Sequence, residues 1–139
     1  MSAAKLLVIE DNPSDIYILR HALGELGEEF DLEVVPDGDV ALQFVSSQRA
    51  NRHDPKPCVI VLDLHLPKHD GLEVLQAIRR EPALTHVHVV VLSTAASPQE
   101  EGEIRKMGAA YRRKPTALSE YADLAADLIA ICKDLQPAA

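Results

Sequence analysis

Carboxylates, hydroxyls and one lysine recur at one kind of place in this chain, directly after a short apolar run. Leu6-Leu7-Val8-Ile9 leads into Glu10-Asp11, and Val59-Ile60-Val61-Leu62 into Asp63. Val89-Val90-Val91-Leu92 leads into Ser93-Thr94, and a weaker run at Ala110 to Arg113 into Lys114-Pro115. If these runs are parallel strands of one open sheet, their carboxyl ends form a single rim, where such sheets carry their reactive crevice. Three like charges crowded there repel unless a cation or a proton joins them. Oxygen ligands suit a hard ion such as Mg2+, which keeps waters and favours phosphate oxygens. A lysine beside them supplies a point charge for a phosphoryl group. Any one acid at a strand end is most simply a solvated loop residue. The set, all at the same end of consecutive runs, points to phosphoryl chemistry.

The elements that must position these groups are legible from periodicity. The three strong runs do not alternate, are branched and are bounded by polar or turn residues, as strands buried on both faces are. Asp31 to Val35 and Ala110 to Arg113 are the remaining strand candidates. Ile16, Leu19, Leu23 and Leu26 recur at intervals of three and four, which places them on one helix face. Asn12 precedes Pro13 there, an N-cap with proline in the first turn. Val74, Leu75 and Ile78 mark a second such face. Leu118, Tyr121, Ala125, Leu128, Cys132 and Leu135 mark a longer one. The order is βα five times over, so the expected fold class is α/β, a doubly wound five-stranded parallel sheet, (βα)5. Ser46 to Pro57 is polar with two prolines and is expected to be a long exposed loop.

Composition narrows the classes. At 139 residues, 47% hydrophobic and 26% charged, the chain reads as one soluble globular domain over 1–139, with no output domain. A net charge of −8 argues against nucleic acid or anionic lipid as partners. Cys58 and Cys132 share no metal-ligand spacing and are expected to be small core residues in a reducing compartment. Met1 to Ile9 is no signal peptide, and no apolar stretch approaches membrane-spanning length. The expectation is a cytoplasmic protein without a membrane partner.

Four motifs, in this order and on these elements, resemble the receiver domains of two-component response regulators. They are Leu7-Val8-Ile9-Glu10-Asp11-Asn12, Asp63-Leu64-His65-Leu66-Pro67-Lys68-His69-Asp70-Gly71, Val91-Leu92-Ser93-Thr94-Ala95 and Tyr111-Arg112-Arg113-Lys114-Pro115. The resemblance runs from Lys5 to about Leu135 and implies the flavodoxin-like receiver fold. The Asn12-Pro13-Ser14-Asp15 start and the stretch before Pro57 resemble a narrower group, the small stand-alone regulators that partner bacterial and cyanobacterial phytochromes.

The resemblance implies that Glu10, Asp11, Asp63 and the backbone carbonyl of His65 hold Mg2+. It implies that Asp63 is the phosphoacceptor, taking a phosphoryl group from a phosphohistidine of a sensor histidine kinase to give an aspartyl phosphate. Lys114 then offsets charge on that group, aimed by a Lys114–Pro115 bond that the family usually holds cis. Ser93, or Thr94 if the register slips by one, is the switch hydroxyl, and Tyr111 the switch aromatic. Output runs by protein–protein contact through the fourth helix, fifth strand and fifth helix, the face through which a homodimer is also expected. The chain is on this reading a phosphoprotein switch and not a turnover enzyme. The alternative is a Mg2+-dependent phosphohydrolase of small phosphorylated substrates; such enzymes want an acid two residues after the nucleophile, where this chain has His65. Arg112 and Arg113 depart from the family's apolar fifth strand and fit either a charged sheet edge or pairing across a dimer. Tyr17 and Phe44 read as packing and His21 and His53 as solvated, while His86 and His88, which flank Val87 at a strand start without a third ligand, are not expected to make a zinc site.

Overall fold

The computed structural model describes residues 4–135. Met1 to Ala3 and residues 136–139, both within the expected span 1–139, lie outside the described residues, as does the side chain of Leu135. Strands β1 (Ala4–Ile9), β2 (Phe30–Val35), β3 (Val59–Asp63), β4 (His88–Ser93) and β5 (Ala110–Arg113) alternate with helices. These are α1 (Pro13–Glu25), α2 (Gly38–Ala50), α3 (Gly71–Arg80), α4 (Pro98–Lys106) and α5 (Leu118–Leu135). A short 3-10 turn, Pro82–Leu84, precedes β4. All strand pairs are parallel, in the order β2-β1-β3-β4-β5. The chain therefore winds one way from β1 and the other way from β3, and the crevice opens where the direction reverses.

Burial explains why the central runs do not alternate. Leu7, Ile9, Ile60, Leu62, Val89 and Val91 pack one face of the sheet under α2, α3 and α4. Their neighbours Leu6, Val8, Val59, Val61, Val90 and Leu92 pack the other face under α1 and α5. Each residue of β3 is buried.

Local signals act where the site needs them. Asn12 caps α1 by accepting the Ser14 N–H at 2.9 Å, with Pro13 as the first helical residue. Gly71 opens α3 against the end of β3, where a Cβ would lie 2.5 Å from the Leu64 carbonyl oxygen. Only glycine fits that approach, and it fixes the loop that follows Asp63. Within this loop Lys68 adopts a φ of 73°.

Several expectations about the fold need correcting. Ser46 to Ala50 continue α2, on which Val45 and Gln48 are buried; the loop before β3 is shorter than its composition implied. Tyr17 is 71% exposed and stacks on His21 rather than packing inward. Leu118, read as part of the buried face of α5, is 73% exposed at the helix start. Cys58 and Cys132 form a disulfide across 74 residues, with Cα atoms 5.2 Å apart. No spacing motif announces it, because the pair meets only when α5 packs over the start of β3. The support that reduced cysteines lent to a cytoplasmic setting is thereby withdrawn.

Candidate functional site

The carboxyl ends of β1 and β3 bring three acids together. Carboxylate oxygens of Glu10, Asp11 and Asp63 lie within 4.8 Å of one another, with Glu10 and Asp63 buried and Asp11 exposed. Backbone N–H groups orient the buried pair: Glu10 Oε2 accepts from Asp11 at 2.9 Å and from Asn12 at 3.3 Å, and Asp63 Oδ1 accepts from His65 at 3.0 Å. An all-oxygen donor set with one solvent-facing member fits a hard divalent cation that keeps waters.

Lys114 enters from the end of β5. Its backbone N–H donates to the Ser93 carbonyl at 2.9 Å, which ties the lysine to β4. Its ammonium lies 2.6 Å from Glu10 Oε1, 2.9 Å from Asp15 Oδ2 and 3.3 Å from Asp63 Oδ2. Burial by itself would lower the lysine pKa; the carboxylates of Glu10, Asp15 and Asp63 outweigh it and raise the pKa above its ordinary value. Glu10 is pushed up to about 7, first by burial and then by the neighbouring Asp63 carboxyl, against the pull of Lys114. The described residues contain only trans peptide bonds, so the expected cis Lys114–Pro115 step is corrected. The tie to Ser93 and the three carboxylates direct the lysine instead.

Ser93 and Thr94 part company at the end of β4. Ser93 is fully buried, accepts the Ala95 N–H at 3.1 Å and lies 3.3 Å from His65 Nε2. Thr94 is exposed beyond the strand. Tyr111 is half-buried on β5 and packs against the core under α4. Arg112 pairs within the chain, its guanidinium 2.6 Å from Asp127 of α5, while Arg113 is exposed.

The sequence from residue 6 to 124 matches the model of the response regulator receiver domain. The chain belongs to this family. The receiver is 37% identical over 90 residues to the response regulator Rcp1 of Synechocystis sp., a match spanning 65% of this chain and 61% of that protein. It superposes on the phosphorylated cyanobacterial phytochrome response regulator RcpA with a TM-score of 0.83 and 28% identity, covering 98% of each chain. On the Mn2+-bound form of Rcp1 the TM-score is 0.80 at 26% identity, covering 98% of this chain and 99% of that one. The chain is thus similar to phytochrome-associated regulators, and its fold is the flavodoxin-like receiver fold. Among the described residues no helix is long and apolar enough to cross a membrane.

Two residues that sequence reasoning did not place at the receiver's site are there. Asp15 contacts Lys114, and the Tyr121 hydroxyl donates to Asp15 Oδ1 at 3.1 Å. Asp15 had a signal: it lies four residues after Asp11, in the first turn of the helix that leaves the same rim. Tyr121 had none beyond its place on the buried face of α5.

Proposed function

We propose that this receiver is the phosphoacceptor of a two-component system, with Asp63 as the phosphorylated residue. One observation carries the reading: Asp63, buried among two further acids, shares a lysine ammonium with Glu10. In the reaction a carboxylate oxygen of Asp63 attacks the phosphorus of a kinase phosphohistidine. An O–P bond forms, the P–N bond breaks, and the electron pair returns to the imidazole, which takes up a proton. Glu10, Asp11, Asp63 and the carbonyl of His65 would hold Mg2+, which when bound offsets negative charge on the transferring oxygens. Lys114 stands close enough to pair with the new phosphoryl oxygens.

Phosphorylation adds roughly −1.5 to −2 charges at the rim. Ser93 and Tyr111 lie on the two strands that lead from the site to α4, β5 and α5, the face proposed for output and for a homodimer. Leu118, exposed at the start of α5, supports a contact there. The likeness to Rcp1 and RcpA supports a phytochrome-type sensor kinase as partner.

The test is incubation with phosphoramidate and Mg2+, read by intact mass. The natural protein should gain one phosphoryl group and Asp63→Ala none. An unchanged natural mass would refute the reading, and equal labelling of the variant would move the acceptor elsewhere.

A further inference from the structure

Asp15 lies outside the three-acid cluster, yet both of its oxygens are engaged at the site. Oδ2 is 2.9 Å from the Lys114 ammonium and Oδ1 accepts from Tyr121 at 3.1 Å. As the third residue of α1 it could reach back to close a capping box, or simply face the helix dipole. The Asn12 N–H bonds Glu10 Oε2 instead, at 3.3 Å. Asp15 is therefore not occupied in capping, and a dipole alone selects neither lysine nor tyrosine. Tyr121 is buried, and its pKa is pushed up to about 12 by that burial and then by Asp15, so its hydroxyl keeps its proton and donates.

An ammonium has three donors, and Glu10, Asp15 and Asp63 stand within reach of Lys114 at 2.6, 2.9 and 3.3 Å. Two of these acids belong to the metal cluster; Asp15 does not. Beneath them lies a cavity of about 20 Å³, walled by Val8, Ile16, Leu19, Leu92 and Leu124 besides the charged groups. The apolar side chains on that side offer the lysine no other acceptor.

We propose that Asp15, fixed by Tyr121, is a positioning residue that shares the Lys114 ammonium with Glu10 and Asp63, so that the lysine competes less with a divalent cation for their oxygens. This rests on the metal reading of the same acids. Without the Asp15 charge, Lys114 pairs only with Glu10 and Asp63 and competes with the cation for them.

Calorimetric titration with Mg2+ alone tests this without any phosphodonor. Asp15→Asn keeps the size and an oxygen for Tyr121, and should weaken Mg2+ binding roughly three- to tenfold, the size of coupling between contacting groups. In a Lys114→Met background the same change should cost less than about twofold, because only its long-range charge remains. Tyr121→Phe should weaken binding in the same direction and add nothing on top of Asp15→Asn. Equal weakening in both lysine backgrounds would overturn the proposal, since Asp15 would then act by charge alone.

A metal-free measurement guards against variants that merely unfold. Urea unfolding of the natural protein, Asp15→Asn, Lys114→Met and the double variant should show a coupling of roughly three- to tenfold in the unfolding constants. Asp15→Asn should be least harmful, or stabilising, once Lys114 is gone, because only carboxylate repulsion is then relieved. Additive effects would overturn the hold on Lys114, and a natural protein that binds no Mg2+ would overturn the proposal with its metal reading. Normal Mg2+ coupling in a protein that takes no phosphoryl group would support it while refuting the phosphoacceptor function.

Discussion

The Lys114 ammonium lies nearer to Glu10, at 2.6 Å, than to Asp63, at 3.3 Å. The lysine proposed to serve the phosphoryl group thus rests, before phosphorylation, on an oxygen of the three-acid cluster proposed to hold the metal. Lys114→Ala should retain the fold and bind Mg2+ at least as tightly as the natural protein, because a competing cation is removed. It should also lose most of the conformational response to phosphorylation. Calorimetry and amide chemical shifts with and without phosphoramidate read the two effects. Weaker Mg2+ binding, or a full response, would count against the role given to Lys114.

The disulfide gives a second prediction. It joins the residue before β3 to the last turns of α5 across 74 residues. Closing so long a loop restricts the unfolded chain, and reduction should cost about 2–4 kcal/mol of stability. Thiol titration in denaturant should find no free thiol before reduction and two afterwards. Urea midpoints should fall on adding dithiothreitol and should not move in Cys132→Ala, and an unchanged midpoint in the natural protein would refute the bond as a stabilising link.

His69 ties α2 to α3. Its Nδ1 lies 3.0 Å from Glu73 Oε1 and its Nε2 contacts Asp39, while Lys68 pairs with Asp37 at 3.6 Å and with Asp39 at 3.8 Å. Hydrogen bonds to Glu73 and then Asp39 raise the His69 pKa above its ordinary 6.5. A raised pKa means that the folded state holds the proton more firmly. This contribution is complete below pH 6.5 and is lost as pH rises through the folded-state pKa. Glu10, at about 7, titrates in the same window, so the readout is the difference between the natural protein and His69→Gln. That difference should favour the natural protein at low pH and shrink as pH rises through the folded-state pKa of His69. A difference independent of pH would remove the charged imidazole from the account.

Much of this was open to the sequence because the chemistry sits at strand ends. Once the apolar runs around Val8, Val61 and Val91 read as parallel strands, Glu10, Asp11, Asp63, Ser93 and Lys114 had to share a rim. What stayed hidden depends on tertiary packing. Tyr121 and Cys132 lie on one helical face whose periodicity says only that it is buried, not that one meets Asp15 and the other Cys58. Gln48 illustrates the opposite failure: a polar residue near two prolines reads as loop. It is buried on α2 because the Lys56 ammonium donates to its Oε1 at 2.7 Å.

Burial favours Ser93 over Thr94 as the proposed switch hydroxyl at the end of β4. Ser93 is fully enclosed, pairs in register with Arg113 of β5, and its carbonyl holds the Lys114 N–H, so it adjoins both the lysine and the strand that carries Tyr111. Thr94 is exposed and makes no such tie among the described residues. A hydroxyl that moves toward a phosphoryl oxygen must first leave its resting contacts, here the Ala95 N–H and His65 Nε2. Ser93→Ala should cost about 1 kcal/mol in stability for those lost hydrogen bonds and still accept a phosphoryl group on Asp63. It should lose the accompanying change at Tyr111, read from its ring resonances, whereas Thr94→Val should keep that change. If Thr94→Val abolished the Tyr111 shift and Ser93→Ala preserved it, the switch hydroxyl would be Thr94, and the buried serine would be a packing residue.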